Sequence, residues 1–250
     1  MRSRFPSASN ISYSFGPGPL TPAIKTLIIA NVVVFVARWL LLRSVPVDEL
    51  LGLAPVYVLH GRVWQLVTYM FVHAGPTHLL FNMLALWMFG TELERRWGTK
   101  YFTKFYFVAG IGAGLFQVLL GILPFGFAAN FYLISVVGAS GAIYGVLAAY
   151  ALYFPSRPIV MFLLFQVPAR YAVMIMGGMS LLFAMSGGGG IAHTAHLGGM
   201  LVGYVYLKRN GMHLLSEIQY RFLKWRINRM KRRFDVYSGG RANDVDRRIH

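Results

Sequence analysis

The chain has 250 residues, 56% of them hydrophobic and only 13% charged, which is too apolar for a soluble domain to cover its core with polar surface. With no cysteine, disulfides and thiolate metal sites are excluded. A net charge of +16 would point to nucleic acid in a soluble protein, but in a chain this apolar it is read first against membrane spans, and an all-α polytopic membrane protein is the class implied.

Residues 1–21 hold Arg2 and Arg4 but run polar and Gly/Pro-rich, without a short apolar core and a small-residue cleavage site. They are expected to be a disordered inner segment rather than a cleaved signal. Six apolar stretches follow, at 23–43, 78–94, 101–122, 138–154, 168–186 and 193–209, near the length that crosses a hydrocarbon core of about 30 Å. Residues 55–72 are apolar too, but His60, Gly61, Arg62 and Gln65 interrupt them, and Trp64 with two tyrosines is of interfacial type. They are expected to lie as a loop in the outer interface.

Charge placement gives the orientation. The N-terminus, residues 91–104, the connection with Arg157 and Arg170, and residues 207–250 are all basic, whereas the outer stretches 123–137 and 187–192 hold no charge and the loop 43–77 is balanced. Basic segments stay inside, so both termini are expected on the cytoplasmic side. A span at 55–72 would flip the later helices and part the two basic ends.

Residues 211–250 form a separate basic tail. Leu215, Ile218, Phe222 and Trp225 recur at helical spacing beside Arg221, Lys224, Arg226, Arg229, Lys231, Arg232 and Arg233. An amphipathic helix lying on anionic lipids is favoured over one that binds RNA, because tethering already brings it to the membrane. The last residues, SGGRANDVDRRIH, are expected to be disordered.

Polar side chains inside spans are costly, which singles out His78 and Asn82 in span two, Ser140 in span four and His196 in span six. Taken singly, each has a plain reading as a packing residue or a satisfied buried donor. Jointly they say more. Spans two, four and six all run from outside to inside, and the four residues sit in the first turns of their spans, so three helices deliver polar groups to one depth.

Gly141-x-x-x-Gly145 and Gly199-x-x-x-Gly203 let spans four and six approach closely, and Gly110 and Gly114 offer the same for span three. A serine hydroxyl needs a base, and His196 is the candidate. Every acidic residue lies at a span end or outside, so the unit would be a Ser-His dyad, with Tyr144, one turn after Ser140, placed to stack on the imidazole. His78 and Asn82 share a helix face and, with the Ser140 backbone N–H, supply oxyanion donors. Gly138 and Gly141 flank the serine and leave room for a substrate backbone.

These residues resemble the rhomboid intramembrane serine proteases. The likeness rests on GASG with Tyr144, HLLFN, AHTAHLGGMLVG and the loop GRVWQLVTYMFVH, in order over about residues 22–209. It implies a basic six-span bacterial bundle over 22–210 in the cytoplasmic membrane, with the site opening outward. It also implies Ser140 as nucleophile, His196 as base, His78 and Asn82 at the oxyanion, and Glu94 of ELERRWG binding nearby backbone. Substrates would be single-span or polytopic membrane proteins whose helix partly unwinds before cleavage; no cofactor, metal or nucleic acid is implied. Trp64-Gln65 departs from the family's Trp-Arg.

His193 is more readily a cavity-lining residue than a catalytic one. The glycine run 186–190 is expected to be a flexible link that helps span five move and admit substrate. Three rival readings stand beside the protease. An inactive client-binding relative is disfavoured by the full set of candidate residues, a transporter by the lack of acidic groups within the spans, and a metal site at His78, His193 and His196 by the lack of companion ligands.

Overall fold

Prolines set several helix starts: Pro22, Pro55 and Pro76 each take the first helical position, where a missing N–H is no loss. The computed structural model describes residues 16–40, 44–124, 132–161, 165–185, 191–210 and 223–227. Its helices are α1 (Pro22–Leu40), the short α2 (Val47–Leu51), α3 (Pro55–Leu59) and α4 (Gln65–Thr68), α5 (Pro76–Ala85), α6 (Thr91–Trp97), α7 (Thr99–Gly121), α8 (Ser140–Tyr153), α9 (Ala169–Met185) and α10 (Ile191–Asn210). A 3-10 turn at Tyr69–Phe71 follows α4, and a π turn at Leu86–Gly90 joins α5 to α6, which together occupy the predicted span two.

Each predicted span therefore holds a helix, and α1 and α7 are each long and apolar enough to cross a bilayer core. One small departure from an all-helical chain lies between spans four and five. There β1 (Pro158–Met161) pairs antiparallel with β2 (Phe165–Pro168), Ile159 opposite Val167. A run with β-branched residues and a proline at each end suits a short ribbon better than a helix.

Contacts divide the chain into residues 1–205 and 206–250. In the second unit the described residues are the end of α10 and a helical turn at 223–227, where Lys224, Trp225 and Arg226 are exposed. The expectations for residues 1–15, the glycine run 186–190, and Leu215, Ile218, Phe222 and the disordered end of the tail lie outside the described residues.

Within the first unit, α8 is the central element, buried at Gly141–Ile143 and Gly145–Tyr150. Large apolar side chains point outward elsewhere: Val33 and Val36 on α1, Leu119 on α7, Met174 and Leu182 on α9, Leu201 on α10. Polar groups are buried instead, among them Asn31, Asn82, Glu94, Gln117 and Ser180. An apolar exterior around a partly polar interior is what a lipid solvent selects.

The stretch 55–72 does not form a span, but it is more than a surface loop. Tyr69 and Met70 are fully buried, and the Tyr69 hydroxyl donates to the Gly110 carbonyl at 2.7 Å. Gly110 therefore makes room for the Met70 side chain, and Gly114 faces Leu53, Leu66 and Tyr69. These two glycines serve the loop, while Ala113 and Ala109 of α7 meet Gly141 and Gly145 of α8. Gln65 is also buried: its amide nitrogen donates to the Glu49 carbonyl at 2.7 Å and its oxygen accepts from Ala54 N–H at 3.2 Å. The Trp-Gln departure thus still supplies backbone contacts that hold the loop.

Gly98, at φ +80°, ends α6 and starts α7 within one residue. This turn brings Glu94 under the first turn of α1. Its carboxylate accepts from Ala23 N–H at 2.9 Å, Ile24 N–H at 3.1 Å, the Thr99 hydroxyl at 2.8 Å and the Thr21 hydroxyl. A negative group at a helix N-terminus is doubly favoured, by the open N–H groups and by the macrodipole. Glu94→Ala, which strands those donors, is expected to cost about 2–4 kcal/mol, read as a lowered unfolding midpoint in detergent. An unchanged midpoint would mean that α1 docks without it.

Candidate active site

Gly138 begins the site. Its φ is +123°, and a Cβ there would lie 2.8 Å from His78 Cε1 and Nε2, so both conformation and space demand glycine. The approach to α8 is held by backbone bonds: Leu53 and Val136 exchange two, at 2.9 and 2.8 Å, and Gly138 N–H donates to the Tyr69 carbonyl at 2.9 Å. Ser140 then opens α8, in the first turn, where N–H groups have no intrahelical acceptor.

The α8–α10 crossing brings His196 to Ser140. A Cβ on Gly199 would lie 1.9 Å from the Gly141 carbonyl oxygen, and one on Gly203 would lie 3.0 Å from Gly145 Cα. Backbones this close let side chains one turn away meet. His196 Nε2 lies 2.7 Å from Ser140 Oγ. The Tyr144 ring stacks on the imidazole, centroids 4.1 Å apart and planes 7° apart. In the tautomer with its proton on Nδ1, Nε2 accepts a hydrogen bond from the Ser140 hydroxyl, and Nδ1 is buried with no hydrogen-bond partner among the described residues.

His78 and Asn82 both lie on α5. The His78 ring sits against Gly138, and Asn82 Nδ2 donates to the His78 carbonyl at 2.8 Å, leaving its second proton available. His193 lies beside His196: it stands edge-on to that ring at 5.5 Å and stacks with Phe183 at 5.0 Å. Among the described residues, no group of three or more His, Cys, Asp or Glu side chains is placed to hold a metal ion.

A model of the rhomboid domain matches residues 60–209, which hold every residue of this cluster. The chain belongs to the rhomboid family. Among its relatives, Rhomboid protease GluP of Bacillus subtilis (strain 168) is 33% identical over 147 residues, 59% of this rhomboid chain and 26% of that protein. Rhomboid protease AarA of Providencia stuartii is 28% identical over 223 residues, 80% of this chain and 75% of that one. Rhomboid protein 1, mitochondrial, of Saccharomyces cerevisiae (strain ATCC 204508 / S288c) is 34% identical over 139 residues, 54% and 38%. This rhomboid thus spans about a quarter of the length of the first, three quarters of the second and two fifths of the third.

Three residues of the site region escape a reading of the sequence: Tyr69, Ser180 and His73. Tyr69 ties α7 to the approach of α8, as above; Ser180 bonds Tyr144. His73 is buried, stands 5.1 Å from the His78 ring, and its Nε2 accepts from Ala139 N–H at 3.5 Å, while Arg38 donates to its carbonyl at 2.9 Å and pairs with Asp48. A signal for it existed in the short interval His73–His78, but an apolar run hid its burial.

Burial, with His78 close by, pushes the His73 imidazole down to about 4. The unfolded imidazole titrates near 6.5, so the folded protein disfavours the charged form. Stability from this group is complete above about pH 6.5 and drains as the pH falls from there towards 4. His73→Gln should flatten the fall of the unfolding midpoint across that window; an identical slope in the variant would acquit His73.

Proposed function

We propose that the chain is an intramembrane serine endopeptidase, with Ser140 and His196 as its dyad. The observation that supports this most is the 2.7 Å contact between Ser140 Oγ and His196 Nε2 under the Tyr144 ring, beside polar groups from a third helix. In this reading Ser140 Oγ attacks the scissile carbonyl carbon while its proton passes to His196 Nε2. The oxyanion forms near the Ser140 N–H, Asn82 Nδ2 and His78. Collapse expels the amine, which takes the proton from Nε2. Water, losing a proton to the same nitrogen, then attacks the acyl-serine; the ester C–O bond breaks, the acid leaves and the proton returns from Nε2 to Ser140 Oγ.

The substrate is a membrane protein, single-span or polytopic, cut in or near a transmembrane helix. A helical segment shields its carbonyls, so local unwinding precedes attack, and helix-breaking residues near the cut favour it. The six apolar stretches support six spans, and the distribution of basic residues supports both termini inside and a site opening outward. The bacterial cytoplasmic membrane suits that arrangement, and the basic tail, residues 211–250, binds anionic lipid headgroups there.

The test is incubation of the detergent-purified full chain with a single-span reporter carrying a helix-breaking outer juxtamembrane segment. Product whose mass maps a cut to that segment is expected. No product, together with no labelling of Ser140 by a fluorophosphonate, would overturn the reading and leave a client-binding protein.

A further inference from the structure

Helix α9 is apolar from Ala172 to Met185 save for one hydroxyl, Ser180, which is buried at 2% exposure. A hydroxyl turned inward on a membrane helix needs a partner. Ser180 Oγ donates to the Tyr144 phenol oxygen at 3.3 Å. Three residues later, on the same helix face, Phe183 stacks on His193, which stands edge-on to His196. By these two routes α9 reaches the candidate base.

The route through Tyr144 matters because of what the dyad lacks. In a triad, a carboxylate at Nδ1 fixes the plane of the imidazole. Here Nδ1 has no such partner among the described residues, and the ring plane is set by the near-parallel Tyr144 face at 4.1 Å. Tyr144 is anchored at its far end by Ser180. The side chain that would otherwise rotate about two torsions is thereby pinned at both ends.

We propose that Ser180 is a positioning residue, which holds the phenol of Tyr144 and through it the plane of the His196 imidazole. The dyad is then aligned while α9 is seated against α8, and loosened whenever α9 moves away. This rests on the serine-protease reading above. It makes span five a contributor to the chemistry as well as part of the wall around it.

The experiment is a double-mutant cycle with Ser180→Ala, Tyr144→Phe and the pair, in the purified full chain. The readouts are the rate of fluorophosphonate labelling of Ser140 and kcat and KM on the reporter. Each single change is expected to slow labelling and lower kcat about five-fold, with KM unchanged, and the pair to slow no further than either alone. Equal rates for wild type and Ser180→Ala, or fully additive losses, would overturn the proposal. A raised KM with kcat intact would do the same, since it would put Ser180 in substrate binding. A wild type that neither labels nor cleaves removes the protease reading itself, and the proposal with it.

Discussion

Ser140→Ala is expected to lower cleavage of the reporter by about four orders of magnitude or more and to abolish fluorophosphonate labelling, while the unfolding midpoint stays within a few degrees of wild type. In the proposed mechanism the loss is large because nucleophile and base act as one unit, and what remains when one is removed comes from oxyanion donors and binding. The fold should be indifferent. Ser140 is the first residue of α8, and its hydroxyl holds nothing else described in the structure besides the His196 ring. His196→Ala should match it in activity. Residual cleavage within ten-fold of wild type in either variant would show that the 2.7 Å contact is structural and the chemistry lies elsewhere.

Gly199→Ala is the second large effect, and it is reached through packing. The added methyl carbon would sit 1.9 Å from the Gly141 carbonyl oxygen, a backbone atom that no rotamer change can move aside. Helices α8 and α10 must part, at an expected cost of at least about 3 kcal/mol. Separation carries His196 away from Ser140, so labelling should fall even in the fraction that stays folded. Gly178→Ala is a fitting control on α9, since nothing lies within 4 Å of the Cβ it would add. If Gly199→Ala folded and labelled like wild type, close approach of the two backbones would not be what aligns the pair.

Both effects begin in features a linear reading can find. Glycines four apart on two spans announce a close crossing, and a hydroxyl on one span with an imidazole on the other announce what the crossing brings together. The helices, too, were legible, because apolar runs of membrane length have few other uses. What escaped has a common cause. Tyr69, Met70 and Gln65 lie in a stretch that reads as interfacial, and nothing in the order of residues says that it folds inward against α7 and takes up Gly110 and Gly114. Ser180 is likewise mute in the sequence: one serine in an apolar helix is ordinary, and only the position of the Tyr144 phenol gives it a task. The ribbon at Pro158–Pro168 was missed because a short apolar run between two spans has no period long enough to read.

The π turn at Leu86–Gly90 has a consequence for how the second span is made. Each residue of an α-helix advances its side chains by about 100°, so one extra residue in a widened turn rotates everything beyond it by roughly that amount relative to everything before. Upstream of the turn the helix sets His78 against Gly138; downstream it sets Glu94 against the first turn of α1. The turn acts as a phase shifter between two sets of obligations. The half that carries His78 and the half that moors the first helix can each keep their own angular setting, and a change that restored regular helix between them would bring one into register only by turning the other away.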